Sequence, residues 1–193
     1  MKILGISGSP VKRGTHYLLE ETLKAAKEER EDVETEIVHV ADYDLKFCKG
    51  CNHCLKEKEC IIKDDDLYEI GGKMEEADAI IFASPSYFGS VTAHLKNLMD
   101  RSRYLKMRDH SLKDKLAGAI SSSGLSQGGG QSTIETINRF ALTHGMKVVG
   151  AASRPEMQPN MVVGTMEKED GFRRVKDDEK AVKMARDFAK RFI

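Results

Sequence analysis

The 193-residue sequence has only 4 prolines, no excess of either charge, no apolar run long enough to span a bilayer, and no cysteine outside residues 48 to 60. With 40% hydrophobic and 32% charged residues, so few prolines exclude a disordered or fibrous chain and predict one globular core over residues 1–193. Its 31 basic and 31 acidic residues leave neither a net positive field nor a basic run. Nucleic acid and membrane surfaces are therefore not expected as partners. The chain passes from Met1 directly into an apolar stretch with no signal-peptide pattern, so the expected location is the cytoplasm. Four cysteines confined to one segment do not make the spread staple of a secreted domain, and thiolate chemistry or metal binding is the first reading. Internal repeats and low-complexity stretches are missing too. So is the acidic pair that a receiver domain needs after its first strand. Chain order suggests no Ser-His-Asp nucleophile, and no catalytic acid or base can be named.

What is present is a regular alternation. The runs KILGIS, TEIVHV, AIIFAS, LAGAISSS and KVVGAAS predict five strands, separated by amphipathic helical stretches. A first helix is expected from about Thr15 to Glu29, with Leu19, Leu23 and Ala26 as its buried stripe. A last helix buries Val182, Ala185, Ala189 and Phe192, after acidic residues suited to the positive end of its dipole. Near-continuous apolar strands indicate a parallel sheet covered on both faces, with the more alternating second strand at an edge. Residues 153–176 read as an extended loop, a lid or an interface.

In such a sheet the ligand lies outside the carboxyl ends of the strands. After the first strand comes Ser7-Gly8-Ser9-Pro10-Val11-Lys12-Arg13-Gly14-Thr15, small and hydroxyl residues with two cations that lead into a helix. Backbone N–H groups, hydroxyls and the helix dipole can converge there on a phosphate. The alternative is an ordinary capped helix start. The loop matches neither G-x-G-x-x-G nor G-x-x-x-x-G-K-[ST], which argues against a dinucleotide or a nucleoside triphosphate. After the third strand, Pro85, Ser86, Tyr87, Phe88 and Gly89 can wall a flat ring, unless they form an exposed turn. After the fourth, Ser121, Ser122, Ser123 and Gly124 open a glycine-rich stretch that can face a ring edge or a phosphate.

The pairing of GISGSPVKRGT with SPSYFGSV resembles the NADPH-dependent FMN reductase branch of the flavodoxin-like superfamily, over nearly the whole chain. That resemblance implies a three-layer α/β sandwich with a five-stranded parallel sheet of order 2-1-3-4-5. It also implies FMN, its phosphate cradled by Ser7, Ser9, Lys12, Gly14 and Thr15, with Pro10 and Arg13 in the same loop. Pro85 to Gly89 and Ser121 to Gly124 would then flank the isoalloxazine.

The segment from Cys48 to Cys60 reads C-x2-C-x2-C-x5-C, with Cys51 and Cys54 between. Such spacing lets one short loop give a thiolate to each iron of a 4Fe-4S cluster. Zinc and a free set of redox thiols are the rivals, although zinc sites usually pair two separate C-x2-C knuckles. Lys46, Lys49, Lys56, Lys58 and Lys63 surround the cysteines and can offset thiolate charge. Together, the flavin motifs and this insertion after the second strand, residues 46–64, are similar to the iron–sulfur flavoproteins of methanogens and other anaerobes. The resemblance implies transfer of electrons from a ferredoxin-like donor through the cluster to FMN, and on to a small-molecule or protein acceptor. It also implies a homodimer or homotetramer, with the cluster near a neighbour's FMN. Two other functions remain: an NAD(P)H-dependent flavin or quinone reductase with a zinc-bound or empty motif, and a non-enzymatic carrier or redox sensor.

Overall fold

The computed structural model describes residues 1–150 and 162–193. Five apolar stretches form the strands β1 (Lys2–Ser7), β2 (Glu34–His39), β3 (Ala79–Pro85), β4 (Leu116–Ser123) and β5 (Lys147–Val148), in the order β2-β1-β3-β4-β5. The pairs along this order are all parallel, beginning with Ile3 opposite Thr35 and Ala79. Successive residues along each strand point to opposite faces, and each face carries its own core. On one side Leu4, Ile6, Ile80 and Phe82 pack with Leu95, Leu98 and Ile134. On the other, Ile3, Ile81 and Ile120 pack with Leu18, Leu19, Ala185 and Phe188.

The helices are α1 (Gly14–Glu29), α2 (His53–Glu57), α3 (Leu67–Glu76), α4 (Ala93–Arg101), α5 (Arg103–Met107), α6 (Gly130–Thr143) and α7 (Glu179–Ala189). The first begins one residue before the expected start and buries the expected stripe of Leu19, Leu23 and Ala26. In α7, Ala185 and Ala189 are buried and Val182 is half-buried, with Phe192 buried just beyond the helix end. Of the acidic residues before it, Asp178 is the cap, accepting the Ala181 N–H at 3.2 Å. Among the described residues no helix is long and apolar enough to cross a membrane.

The strand expected from KVVGAAS departs from the sequence reading. Among the described residues, Lys147 and Val148 alone pair as β5, beside Leu116 and Ala117, and the end of the expected strand, residues 151–153, lies outside the described residues. Farther along β4 the neighbour is a separate strand, β6 (Val162–Thr165), parallel to Ile120–Ser123. Two pieces of chain thus share the position that one was expected to fill. This also corrects the reading of 153–176 as an extended loop. Residues 153–161 lie outside the described residues, but β6 and a short hairpin of β7 (Glu167–Lys168) and β8 (Gly171–Phe172) follow. Val162 is buried in the sheet core, so its pairing with β4 gains apolar burial as well as ladder hydrogen bonds.

His144, just past the end of α6, is 3% exposed and packs edge-on against Phe140, with Nε2 3.2 Å from Ser102 Oγ. Burial pushes its pKa down to about 4, helped by the charges of Lys106 and His110. An unfolded chain takes up this proton near pH ~6.5, and the folded protein resists it down to about 4. The contribution to stability is therefore complete above the unfolded value and lost as pH falls from there. Chemical denaturation is expected to show about 2 kcal/mol more loss between about pH 7.5 and about pH 5 in the parent than in His144→Gln. Equal losses in the two proteins would refute this role.

Candidate functional site

The three loops at the carboxyl end of the sheet are tied to one another, mostly through groups that the sequence marked as ligands. The Gly8 N–H donates to Ala83 O at 2.8 Å, and Thr92 Oγ1 donates to Gly8 O at 2.5 Å. Thr92 also accepts the Leu95 N–H, so the residue that caps α4 holds the first loop in place. Thr15 Oγ1 lies 2.6 Å from Ser122 Oγ, joining α1 to the end of β4. Ser86 Oγ donates to Gly128 O at 2.6 Å, and the Ser86 N–H donates to Ser122 O. Ser9 Oγ donates to Val11 O, while Ser7 Oγ sits 3.2 Å from the buried His39 ring, whose pKa burial lowers. Many hydroxyls read as phosphate donors thus also build the cradle.

For an anion this leaves the first-turn N–H groups of α1, which have no intrahelical partners and no side-chain cap from Arg13. Of the two cations, Lys12 is held 2.6 Å from Asp42, whose carboxyl it keeps below the usual range. Arg13 makes no ion pair among the described residues. Ser121 Oγ is buried without a hydrogen-bond partner at the end of β4, as a site for a polar ligand requires.

In the β3 loop, Tyr87 and Ser90 exchange backbone hydrogen bonds around Phe88 and Gly89, which have φ of 51° and 76°. Two successive left-handed residues make a tight primed turn. A bulky side chain is seldom tolerated there, and such strain clusters at functional sites. Phe88 is fully exposed at the tip and Tyr87 is half-exposed beneath it. Against this turn lies Gly129, which has φ of 80°. A Cβ on Gly129 would come within 2.5 Å of Gly89 Cα and 3.0 Å of Ser86 Oγ. The two loops that would flank a ring therefore meet backbone to backbone.

The cysteines lie apart from these loops, in a segment built from left-handed turns at Gly50, Asn52 and Lys58 around α2. No disulfide forms, and Cys48, Cys51, Cys54 and Cys60 all line one pocket with Lys49, Arg101, Arg103 and Asp100, the last paired with Lys96. Among the described residues, no three or more His, Cys, Asp or Glu side chains converge as a single metal ion would need. Four free thiols around a common space suit a four-iron cube, which takes one thiolate at each iron. Tyr68 Oη donates to Cys60 O and accepts the Cys60 N–H, both at 2.9 Å, fixing the last cysteine to α3.

Both roots of the segment are clamped to α4. Asn97 Nδ2 donates to Leu45 O at 2.8 Å, and Arg101 donates to Lys46 O. Arg101 also makes a two-pronged pair with Asp65, at 2.6 and 3.2 Å, and Asp65 accepts the Lys46 N–H at 3.1 Å. Burial works against the Arg101 charge, but Asp65 and the Cys60 sulfur outweigh it and raise its pKa. Three of the lysines expected to offset thiolate charge are instead paired at the surface, Lys46 with Asp64, Lys58 with Asp109 and Lys63 with Glu59. Sequence reading missed Asp65, Asn97, Arg101 and Thr92. Each looks like an ordinary polar residue in or near a helix until the chain folds back on it.

The profile of the family "NADPH-dependent FMN reductase" matches residues 1–155. An iron-sulfur flavoprotein of Archaeoglobus fulgidus is 40% identical over 193 residues, covering 100% of this chain and 94% of that protein. Another, from Methanocaldococcus jannaschii, is 48% identical over 151 residues, covering 78% of this chain and 76% of its own. A solved flavodoxin from the domain Archaea has the same fold, with a TM-score of 0.58 at 18% identity over 100% of this chain and 99% of that one. With the strand order, the three interlocked loops and the four cysteines lining one pocket, these matches place the chain in the iron–sulfur flavoprotein family of FMN-dependent oxidoreductases, on the flavodoxin-like fold.

Proposed function

We propose that this protein carries electrons from a one-electron donor of ferredoxin type to FMN, with a 4Fe-4S cluster held by Cys48, Cys51, Cys54 and Cys60. Bound together, the two groups would convert single-electron supply into two-electron reduction of an acceptor. The observation that carries the reading is the architecture of α4. Its N-terminal cap Thr92 holds the Gly8 loop, and its last residue Arg101 lines the cysteine pocket. Nine residues of helix, about 13 Å long, thus connect the two sites.

In this reading the FMN phosphate meets the first-turn N–H groups of α1, with Arg13 rather than Lys12 as the nearby cation. The ring lies against the Tyr87 turn and the loop that starts at Ser121. Exposed Phe47, Ile61, Tyr87 and Phe88 fall on the cysteine segment and the β3 loop. Apolar surface in those places supports a homo-oligomer in which a second copy covers both sites. The protein's own residues position and shield the two groups, and none is assigned a proton-transfer role.

Protein purified without oxygen is expected to hold about four iron, about four acid-labile sulfide and one FMN per chain. Its visible absorbance should bleach on addition of reduced ferredoxin. A colourless, iron-free preparation would overturn the reading. Rapid reduction by NADPH in protein without iron would select the flavin or quinone reductase instead, the reading favoured by the reductase match over residues 1–155.

A further inference from the structure

Burying a carboxylate and a guanidinium costs several kcal/mol in lost hydration, and apolar side chains of the same shape often serve stability as well. The side chains of Asp65 and Arg101 are nonetheless both 0% exposed. Arg101 lines the pocket with the four cysteines, and Asp65 does not. The pair therefore presents its cationic end to the thiols, with the carboxylate behind. The Arg101 Nε is also buried without a hydrogen-bond partner, a donor in excess of what the root clamp requires. The paired lysines on the rim are solvated and screened, whereas a buried guanidinium acts through a lower dielectric.

We propose that Arg101, backed by Asp65, is a positioning residue that sets the reduction potential of the group held by Cys48, Cys51, Cys54 and Cys60. This rests on the cluster reading above. The step concerned is one electron gained by the cluster and one lost by the donor, with no bond broken and no proton moved. The added negative charge is stabilised by the guanidinium and opposed by the carboxylate. Removing the two partners should therefore shift the potential in opposite directions, which loss of a mere clamp would not do.

Anaerobic redox titration, followed by electron paramagnetic resonance and by absorbance, tests this with the FMN potential as internal reference. In the neutral pair Arg101→Gln with Asp65→Asn, the reduced-to-oxidised ratio of the cluster at a fixed potential is expected to fall at least tenfold, about 59 mV for a one-electron couple. Asp65→Asn alone should raise that ratio, and Arg101→Lys should stay near the parent, with FMN unmoved in all three. A full cluster whose potential is unchanged in the neutral pair overturns the proposal, as does an equal shift of FMN or a shift of the same sign in Asp65→Asn. Should the neutral pair take up no cluster, the direction found in Asp65→Asn decides, and loss of cluster there too counts against the proposal. Parent protein without iron and sulfide defeats the cluster reading itself, whereas a full parent cluster with these other failures defeats only the role of Arg101.

Discussion

Cys51→Ala protein, purified without oxygen, is expected to contain no intact cluster and yet to bind FMN as tightly as the parent. Cys51 sits in the middle of the C-x2-C-x2-C run, between the left-handed turns at Gly50 and Asn52. Losing its thiolate leaves one iron of a cube without a protein ligand. His53 does not readily take its place, because it lies in α2 with its ring near Glu59, at 3.8 Å. FMN is spared because none of the hydrogen bonds that tie the three flavin loops passes through residues 48 to 60. Iron and sulfide analysis beside a fluorescence titration of apoprotein with FMN separates the two effects. Full iron content in the variant would remove Cys51 from the ligand set, and a parallel loss of FMN would mean that the sites are not independent.

Gly129→Ala should do the reverse, weakening FMN binding at least tenfold while leaving iron content unchanged. The backbone of Gly129 is left-handed, which costs an alanine about 1 kcal/mol. The larger effect is steric. The new Cβ would fall within 2.5 Å of Gly89 Cα, which is backbone and cannot rotate away. The turn bearing Tyr87 must then move off the loop after β4, widening the gap in which a ring would lie. A tenfold loss corresponds to about 1.4 kcal/mol, less than the combined strain and displacement predict. Gly72→Ala is the matched control. Its Cβ meets nothing within 4 Å in the middle of α3, so it should be neutral or stabilising by about 0.5–1 kcal/mol. FMN affinity unchanged in well-folded Gly129→Ala would show that the two loops do not form the walls of the flavin slot.

Local pattern was enough to read β1 to β4, because each is a run of apolar residues whose burial does not depend on knowing its neighbours. The last position of the sheet was not legible in this way. Val148 and Val149 look like the start of a long strand, but Val162 to Thr165 fill the distal half, and only pairing with β4 distinguishes the two. The flavin loops were visible as clusters of Ser, Gly and Pro where a strand meets a helix. Their hydroxyls were read as facing a ligand. In the folded chain Ser9, Thr15, Ser86 and Ser122 also bind other parts of the protein, since a loop must satisfy its own polar groups before it can hold anything else. The cysteine spacing needed no structure at all. The charge around it did, because Lys46, Lys58 and Lys63 are balanced by acids: Glu59 four residues from Lys63, Asp64 at the opposite end of the segment from Lys46, and Asp109 far along the chain from Lys58.

The sequence by itself determined the chemistry on offer: four thiols within one turn-rich segment, three polar loops at strand ends, and an alternation of strand and helix that admits only a covered parallel sheet. These are local properties, set by residue type and spacing. Which groups act together was decided by tertiary structure. Thr92 meets Gly8 across 84 residues, Asp65 meets Arg101 across 36, and Gly129 meets Gly89 only once the crossover from β3 to β4 has been completed. Long-range contacts of this kind depend on how the sheet is wound, and no window of sequence contains both partners.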